Sequence, residues 1–302
     1  MANYNFKKEA KVYLVYDGSR YLLDVSEDLS FTQTFTDKTY PQRTLHASNK
    51  LFDQSNIKKA NPANFEFTIP ALVEDDLQIV VDLLLDYDSS GDTLKTFDLY
   101  IELSDDIYKL ETCVITNGTF IIEKLENLRL GIQGQAVKLT RGATLPGGAV
   151  ARSATRTFQR LDHVSVDIGG TDLTEGILNV SVELQNDIKW VPYETLHDAL
   201  SVTNASTSMY PSNFTLEKRI LSGSIAQYVQ SNFNSDVQEW KTAQDITIKV
   251  GESDQVGFQF DLENCSFTNR NSVDDVFTQR YDWKMNDNPA DLGTKIKFNN
   301  NS

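Results

Sequence analysis

Apolar and polar residues alternate with a period of two along much of the chain, which is the spacing of half-buried strands. Val12, Leu14 and Tyr16 alternate with Tyr13, Val15 and Asp17, and Asp17-Gly18-Ser19 supplies a turn before Tyr21-Leu22-Leu23. Leu29, Phe31, Gln33 and Phe35 alternate with Ser30, Thr32 and Thr34. A long polar stretch follows, from Thr36 to Ala63, with Leu45, Leu51, Phe52 and Ile57 as apolar anchors. Connections of that length inside a compact domain are usually functional or disordered, and the anchors favour function. Asn64–Ile69 reads as the returning strand, ended by Pro70. The period then changes. Leu77, Val80, Val81, Leu84 and Leu85 fall on one helical face, and Glu74, Asp75 and Asp76 place negative charge at the helix start, where the dipole favours it. Strands are predicted again at Phe97–Leu103 and Tyr108–Ile115, with Asp105-Asp106 as the turn.

The second half follows the same plan. Leu178, Val180, Val182 and Leu184 alternate as its first strand, and a long segment covers 186–212. Ile225, Tyr228, Val229, Phe233, Val237 and Trp240 share a helical face, although Ser231–Ser235 holds poor helix formers. Ile246, Ile248 and Val250 face Phe258, Phe260 and Leu262 across a turn at Gly251–Asp254, the counterpart of Asp105-Asp106. Asn286–Ser302 is Asn-rich and reads as a flexible tail.

Short words repeat between the halves. Thr44-Leu45-His46 returns as Thr195-Leu196-His197, 151 positions later, each copy preceded by a proline (Pro41, Pro192). Asp37 matches Asp187, Asn64-Phe65 matches Asn213-Phe214, and Cys113–Asn117 matches Cys265–Asn269, at offsets of 149 to 152. A unit of about 150 residues can bury its own core, unlike the short repeats of solenoids. The reading is a tandem duplication: a first domain over 1–140, a linker over 141–160, a second domain over 161–287 and a tail over 288–302. The linker holds Gly, Pro, Ala and Ser together with Arg141, Arg152, Arg156 and Arg160 and no acid, so it is expected to lie as an arm on an acidic surface.

Composition narrows the function. The chain carries 28 Lys+Arg against 43 Asp+Glu, a net charge of -15, divided about evenly between the halves. Such a surface argues against wrapping nucleic acid, whose phosphates need basic partners. The 2 cysteines cannot build a disulfide framework, and no apolar run is long enough for a membrane helix. The start lacks an apolar signal core, so the Asn-x-Ser/Thr sequons at Asn117, Asn179, Asn204, Asn213 and Asn264 carry little meaning.

No catalytic set emerges. Walker, G-x-S-x-G, H-E-x-x-H and C-x-x-C motifs are all missing, and Gly131-x-x-Gly134 and Pro146-Gly147-Gly148 lack the strand–turn–helix frame of a phosphate loop. Asp75-Asp76, Asp105-Asp106 and Asp274-Asp275 sit at helix starts or turns, where solvation explains them. One repeated His (His46, His197) and one repeated Cys per half are too few for a metal centre. No enzyme and no cofactor are expected.

These residues resemble a known family. A β-rich domain with one helix, a long loop and acidic character, with the stretch Arg43-Thr44-Leu45-His46, Leu51-Phe52 and Asn64–Pro70, is similar to the tail tube protein of long-tailed (siphophage) phages. The duplication is similar to the type with two fused tube domains. The resemblance implies a mainly β (α+β) fold: two tandem sandwich or barrel domains, each with one main helix and a long loop. It implies a structural virion protein of the tail, assembled in the host cytoplasm, whose trimeric, pseudo-hexameric rings stack into a tube for DNA. Implied partners are further copies of the chain, a tape measure protein, tail terminator and tail-tip proteins, and viral DNA passing an acidic bore unbound; no membrane is involved. The candidate contacts between rings or subunits are Pro41, Arg43, Thr44, Leu45, His46, Leu51 and Phe52 in the first long segment, and Trp190, Pro192, Thr195, Leu196, His197 and Leu200 in the second. Two other readings remain: a tail-tip, baseplate or head–tail adaptor ring of the same fold, and a carbohydrate-binding β-sandwich pair. All 3 Trp (Trp190, Trp240, Trp283) lie in the second half, which disfavours a duplicated aromatic platform.

Overall fold

A computed structural model describes residues 9–26, 28–40, 54–70, 75–85, 94–123, 128–151, 163–173, 175–191, 210–211, 213–229, 242–252, 255–273, 276–286 and 296–298. The fold is mainly β. The first half contains β1 (Lys11–Tyr16), β2 (Ser19–Leu23), β3 (Ser30–Thr32), β4 (Phe35–Tyr40), β5 (Gln54–Ala60), β6 (Ala63–Pro70), α1 (Asp75–Leu85), β7 (Phe97–Glu102), β8 (Ile107–Glu123) and β9 (Arg129–Arg141). The second contains β10 (His163–Ile168), β11 (Thr171–Asp172), β12 (Ile177–Val191), β13 (Asn213–Tyr228), β14 (Gln244–Glu252), β15 (Gln255–Val273), β16 (Phe277–Met285) and β17 (Ile296–Phe298).

The same pairings occur in the same order in each half, all antiparallel. β1 pairs with β2 and β7, β7 with β8, β8 with β9, β9 with β6, and β6 with β3. Likewise β10 pairs with β11 and β14, β14 with β15, β15 with β16, β16 with β13, and β13 with β12. The halves meet edge to edge where β8 pairs with β12, from Asn117↔Gln185 to Glu123↔Asn179. β4 and β5 form a separate ribbon that prolongs β3 and β6. The far ends of β12 and β13 make the corresponding ribbon, from Asp187↔Lys218 to Val191↔Asn213.

The sequence-level expectations meet this structure in several ways. α1 and the turn at Asp17-Gly18 stand where they were expected, and the bend between β7 and β8 falls at Ser104-Asp105, one residue before the expected Asp105-Asp106. Ile246↔Leu262, Ile248↔Phe260 and Val250↔Phe258 are the expected cross-strand pairs. The helix expected from Ile225 to Trp240 does not begin there: Ile225 and Tyr228 lie in β13, which is held by β12 on one side and β16 on the other. Phe233, Val237 and Trp240 lie outside the described residues. β12 is not the first strand of its half, because β10 and β11 precede it. Asn64-Phe65 and Asn213-Phe214 are not counterparts: the first pair faces Gln135 and Gly134 on β9, while the second sits on the ribbon opposite Val191 and Trp190. The tail is not wholly irregular, since Ile296–Phe298 pairs with β15 at Phe258–Phe260. Arg141 closes β9 rather than opening the linker, and the start of the linker bonds to β2, with Arg20 N donating to Gly148 O at 2.8 Å and Val150 N to Arg20 O at 2.9 Å.

One core joins both halves. Val80, Val81 and Leu84 of α1, Phe67 and Ile132 of the first half and Phe258, Phe260 and Tyr281 of the second belong to the same buried cluster. Phe120 on β8 bridges them, its ring 5.1 Å from both Phe258 and Phe260. Each such side chain removed from water contributes about 1.5–3 kcal/mol. α1 lies flat on β8 because Gly118 leaves room: a Cβ there would come within 2.3 Å of Leu84 Cδ2.

Candidate assembly site

The residues with distinctive placement form a sheet face, its two edges and two matching bulges. Eight strands follow one another by hydrogen bonding, in the order β3-β6-β9-β8-β12-β13-β16-β15. Strand alternation makes one face of this path apolar and the other polar. The polar face carries Ser30, Thr32, Asn64, Glu66, Gln133, Gln135, Asn117, Ser181, Glu183, Ser224, Asp282 and Lys284. Its carboxylates are held by neighbours. Gln133 Nε2 donates to Glu66 Oε1 at 3.1 Å, Asn117 Nδ2 to Glu183 Oε1 at 2.9 Å and Arg280 Nε to Asp282 Oδ1 at 2.8 Å. Arg270 Nε adds a 3.3 Å ion pair to Asp282. The face is thus rich in amides and hydroxyls, with its acids interleaved among bases.

The path ends in two strands with an unpaired side among the described residues. β3 pairs only with β6, and residues 266–273 of β15 pair only with β16. These are the positions that β12 and β8 hold at the internal junction.

The two cysteines mark the same place in each half. Thr112 and Asn264 adopt left-handed conformations, with φ of 52° and 55°. Thr112 N donates to Asp98 Oδ1 and Asn264 N to Asp245 Oδ1, each at 2.9 Å, and the next residue is Cys113 or Cys265. Cys113 stands opposite Phe97 and Ala136, and Cys265 opposite Gln244 and Met285. Burial pushes the Cys113 thiol well up, and pushes Cys265 up from an ordinary 9.0 to about 12. Both therefore act as small apolar groups. A folded-state pKa above the unfolded one favours the folded chain below pH 9.0, and that contribution is lost as pH rises towards about 12. The folded chain should accordingly leave both thiols unlabelled by Ellman's reagent at pH 8 while denaturant exposes two, and its melting temperature should fall between pH 9 and 12. Fast labelling of the folded chain would overturn this.

The sequence-derived candidates divide. Pro41, Arg43, Thr44, Leu45, His46, Leu51 and Phe52 lie outside the described residues, as do Pro192, Thr195, Leu196, His197, Leu200, Arg152, Arg156 and Arg160. Trp190 is described and already has partners in its own chain. Its Nε1 donates to Gln135 Oε1 at 2.7 Å, its ring lies 5.2 Å from Phe214, and it packs on a small cluster with Leu94 and Val114. Tyr210 lies under Lys138 Nζ at 5.0 Å. The second ribbon thus leaves its own half and rests on the first. Arg141 pairs with Asp106, and that hydrogen bond holds the Asp106 carboxyl below its ordinary range.

Sequence reasoning missed Asn186 and Arg219. Asn186 is 2% exposed, and its amide donates to Ile115 O at 3.1 Å and Leu84 O at 3.4 Å. Arg219 donates to Leu85 O at 2.6 Å, Leu84 O at 3.2 Å and Asn186 Oδ1 at 2.8 Å. Together they cap the C-terminus of α1, which has no basic residue in its last turn. The only sequence signal for this was the lack of a basic residue in the last turn of α1.

Among the described residues, no group of three or more His, Cys, Asp and Glu side chains gathers as for a metal. What the surface offers is ladder edges and a polar sheet face, the equipment of a β protein that associates by adding strands. The chain belongs to the Bacteriophage Baseplate Tube Protein Family, whose family model matches residues 2–302. It is a structural protein of the phage tail or baseplate tube and a component of the virion. Among curated proteins no sequence match was found.

Proposed function

We propose that the chain assembles into trimeric, pseudo-hexameric rings whose eight-strand paths join into a closed barrel around the bore through which phage DNA passes. The observation that carries this is the internal junction: two halves with the same pairing order are joined edge to edge, and the matching edges are left over at the ends of the path. A head-to-tail contact of that kind generates a ring when its rotation closes. The matched cysteine bulges support tandem duplication, and with it two similar domains per chain. The polar face lines the bore. Its amides, hydroxyls and partnered charges offer sliding DNA no run of free cations to hold its phosphates. Tyr228, Val229, Val276 and Phe277 stand exposed together at the rim of the sheet, where a stacked ring would cover them. Tape measure, tail terminator and tail-tip proteins are the expected neighbours.

Negative-stain electron microscopy with mass measurement of purified particles tests the reading. Rings with a mass of three chains are expected, stacked if the chain builds tube and single if it serves as an adaptor. A chain that stays monomeric at high concentration, or rings of six chains, would refute it.

A further inference from the structure

We infer that the ring closes by pairing of the unpaired side of β15 with β3 of a second copy, in the register of the internal β8·β12 junction, with Phe35 as the anchor. This rests on the ring reading above. The register comes from the ladders. Glu183 on β12 faces Ser222, and Ser222 faces Lys284 on β16; Thr32 on β3 faces Asn64, and Asn64 faces Gln135 on β9. Thr32 therefore holds the place of Glu183. On the other edge, Asn117 faces Gln133 and Thr268 faces Asp282, which makes Arg270 the counterpart of Thr119. At the internal junction Glu183 faces Thr119. The copied contact puts Thr32 of one chain opposite Arg270 of the next, with Ser30 opposite Ser272 and Thr34 opposite Thr268. Thr32 and Arg270 are both exposed on the polar face, so the sheet would continue with its faces in phase.

Phe35 explains why a second copy is needed. Asn186 faces Arg219 on the pair just before the second ribbon, and Phe35 faces Ala60 at the start of the first; both strand pairs then carry a bulge after the next pair, at Asp187/Ile188 and Thr36/Asp37. Phe35 thus occupies the place of Asn186. Yet Asn186 is 2% exposed and Phe35 is 46% exposed. Asn186 is covered because the other half lies over it, with its amide on Ile115 O at 3.1 Å. The counterpart of Ile115 is Phe267, since Ile115 faces Gly134 and Phe267 faces Trp283 on the matching rung. Phe35 cannot donate a hydrogen bond as Asn186 does, but it can pack on an aromatic ring. Ring closure would bring it onto Phe267 of the next copy and remove its exposed ring from water.

The test uses the full chain carrying Thr32→Cys and Arg270→Cys, assembled and then oxidised. The native cysteines are buried and do not compete. Facing residues in an antiparallel pair have Cα atoms roughly 4.5–5.5 Å apart, within disulfide reach. Covalent dimers and closed trimers are expected in denaturing gels, and a Thr32→Cys/Thr268→Cys chain, slipped by two residues, should not cross-link. Phe35→Ala should leave the melting temperature of unassembled chain unchanged and raise the concentration needed for assembly roughly tenfold or more. Intact rings that fail to cross-link, or that cross-link in the slipped pair, would overturn the register while leaving the ring reading standing. A lower melting temperature for unassembled Phe35→Ala would show that Phe35 packs in its own chain and would overturn its role as anchor. Absence of any assembly by the parent chain would sink both the ring and its closure.

Discussion

A Gly223→Ala chain is expected to lose about 3 kcal/mol or more of stability, which lowers its melting temperature by roughly 6–12 °C. A Cβ at Gly223 would lie 2.0 Å from Ser181 O and 2.6 Å from Trp283 Cζ2. The first contact is with backbone, so no change of rotamer relieves it; β12 and β13 must separate. The second arises because Trp283 lies across the glycine on the facing strand. The comparison variant is Gly131→Ala, whose Cβ meets nothing nearer than Thr119 O at 3.8 Å. That change should be neutral or slightly stabilising, because it only restricts the unfolded chain. Equal melting temperatures for Gly223→Ala and the parent would show that the rung yields without cost, contrary to this account.

Arg219→Ala is expected to cost about 2–3 kcal/mol, since the guanidinium supplies charge-assisted donors to two terminal carbonyls of α1 and to Asn186. Arg219→Lys should recover only part of the loss, because one ammonium cannot reproduce the planar fork that reaches all three acceptors. The effect crosses between halves: the residue is on β13, and the helix it caps lies 134 positions away in the chain. Hydrogen exchange should therefore quicken in α1 when Arg219 is removed. A variant with unchanged melting and unchanged exchange in residues 75–85 would refute the capping role.

Much of the fold was legible locally. Alternation with period two depends on which way each successive side chain points, and the chain writes that directly in Val12–Tyr16, Asn64–Ile69 and Ile246–Val250. The helix was equally plain, because Leu77–Leu85 repeats its apolar face over two turns. β9 and β16 were missed because Gly131, Gly134, Arg280 and Lys284 interrupt the apolar signal of strands whose other face is polar. The expectation that a helix begins at Ile225 failed because Ile225, Tyr228 and Val229 happen to fit a 3.6 period, and pairing of β13 on both sides overrode it. The assembly site was hardly legible at all: its named candidates followed repeated words, whereas the described surface is made of edges and register.

Phe65↔Gly134 and Gly223↔Trp283 show where sequence reading stops. They lie on corresponding rungs, each pairing an aromatic ring with a glycine, but the strand that carries the ring is exchanged between the halves. A Cβ at Gly134 would meet Phe65 Cζ at 2.1 Å, just as one at Gly223 would meet Trp283. No match of letters could align glycine with phenylalanine and tryptophan with glycine; what is kept is the filled volume of the rung. By itself the sequence determined the alternation of faces, the one described helix, the shared acidity and the suggestion of two copies of one plan, because each is carried by neighbours in the chain. The tertiary structure alone decided which strands adjoin, where β8 meets β12, that Arg219 caps a helix in the other half and that Phe35 is left uncovered, because each depends on residues brought together from far apart in sequence.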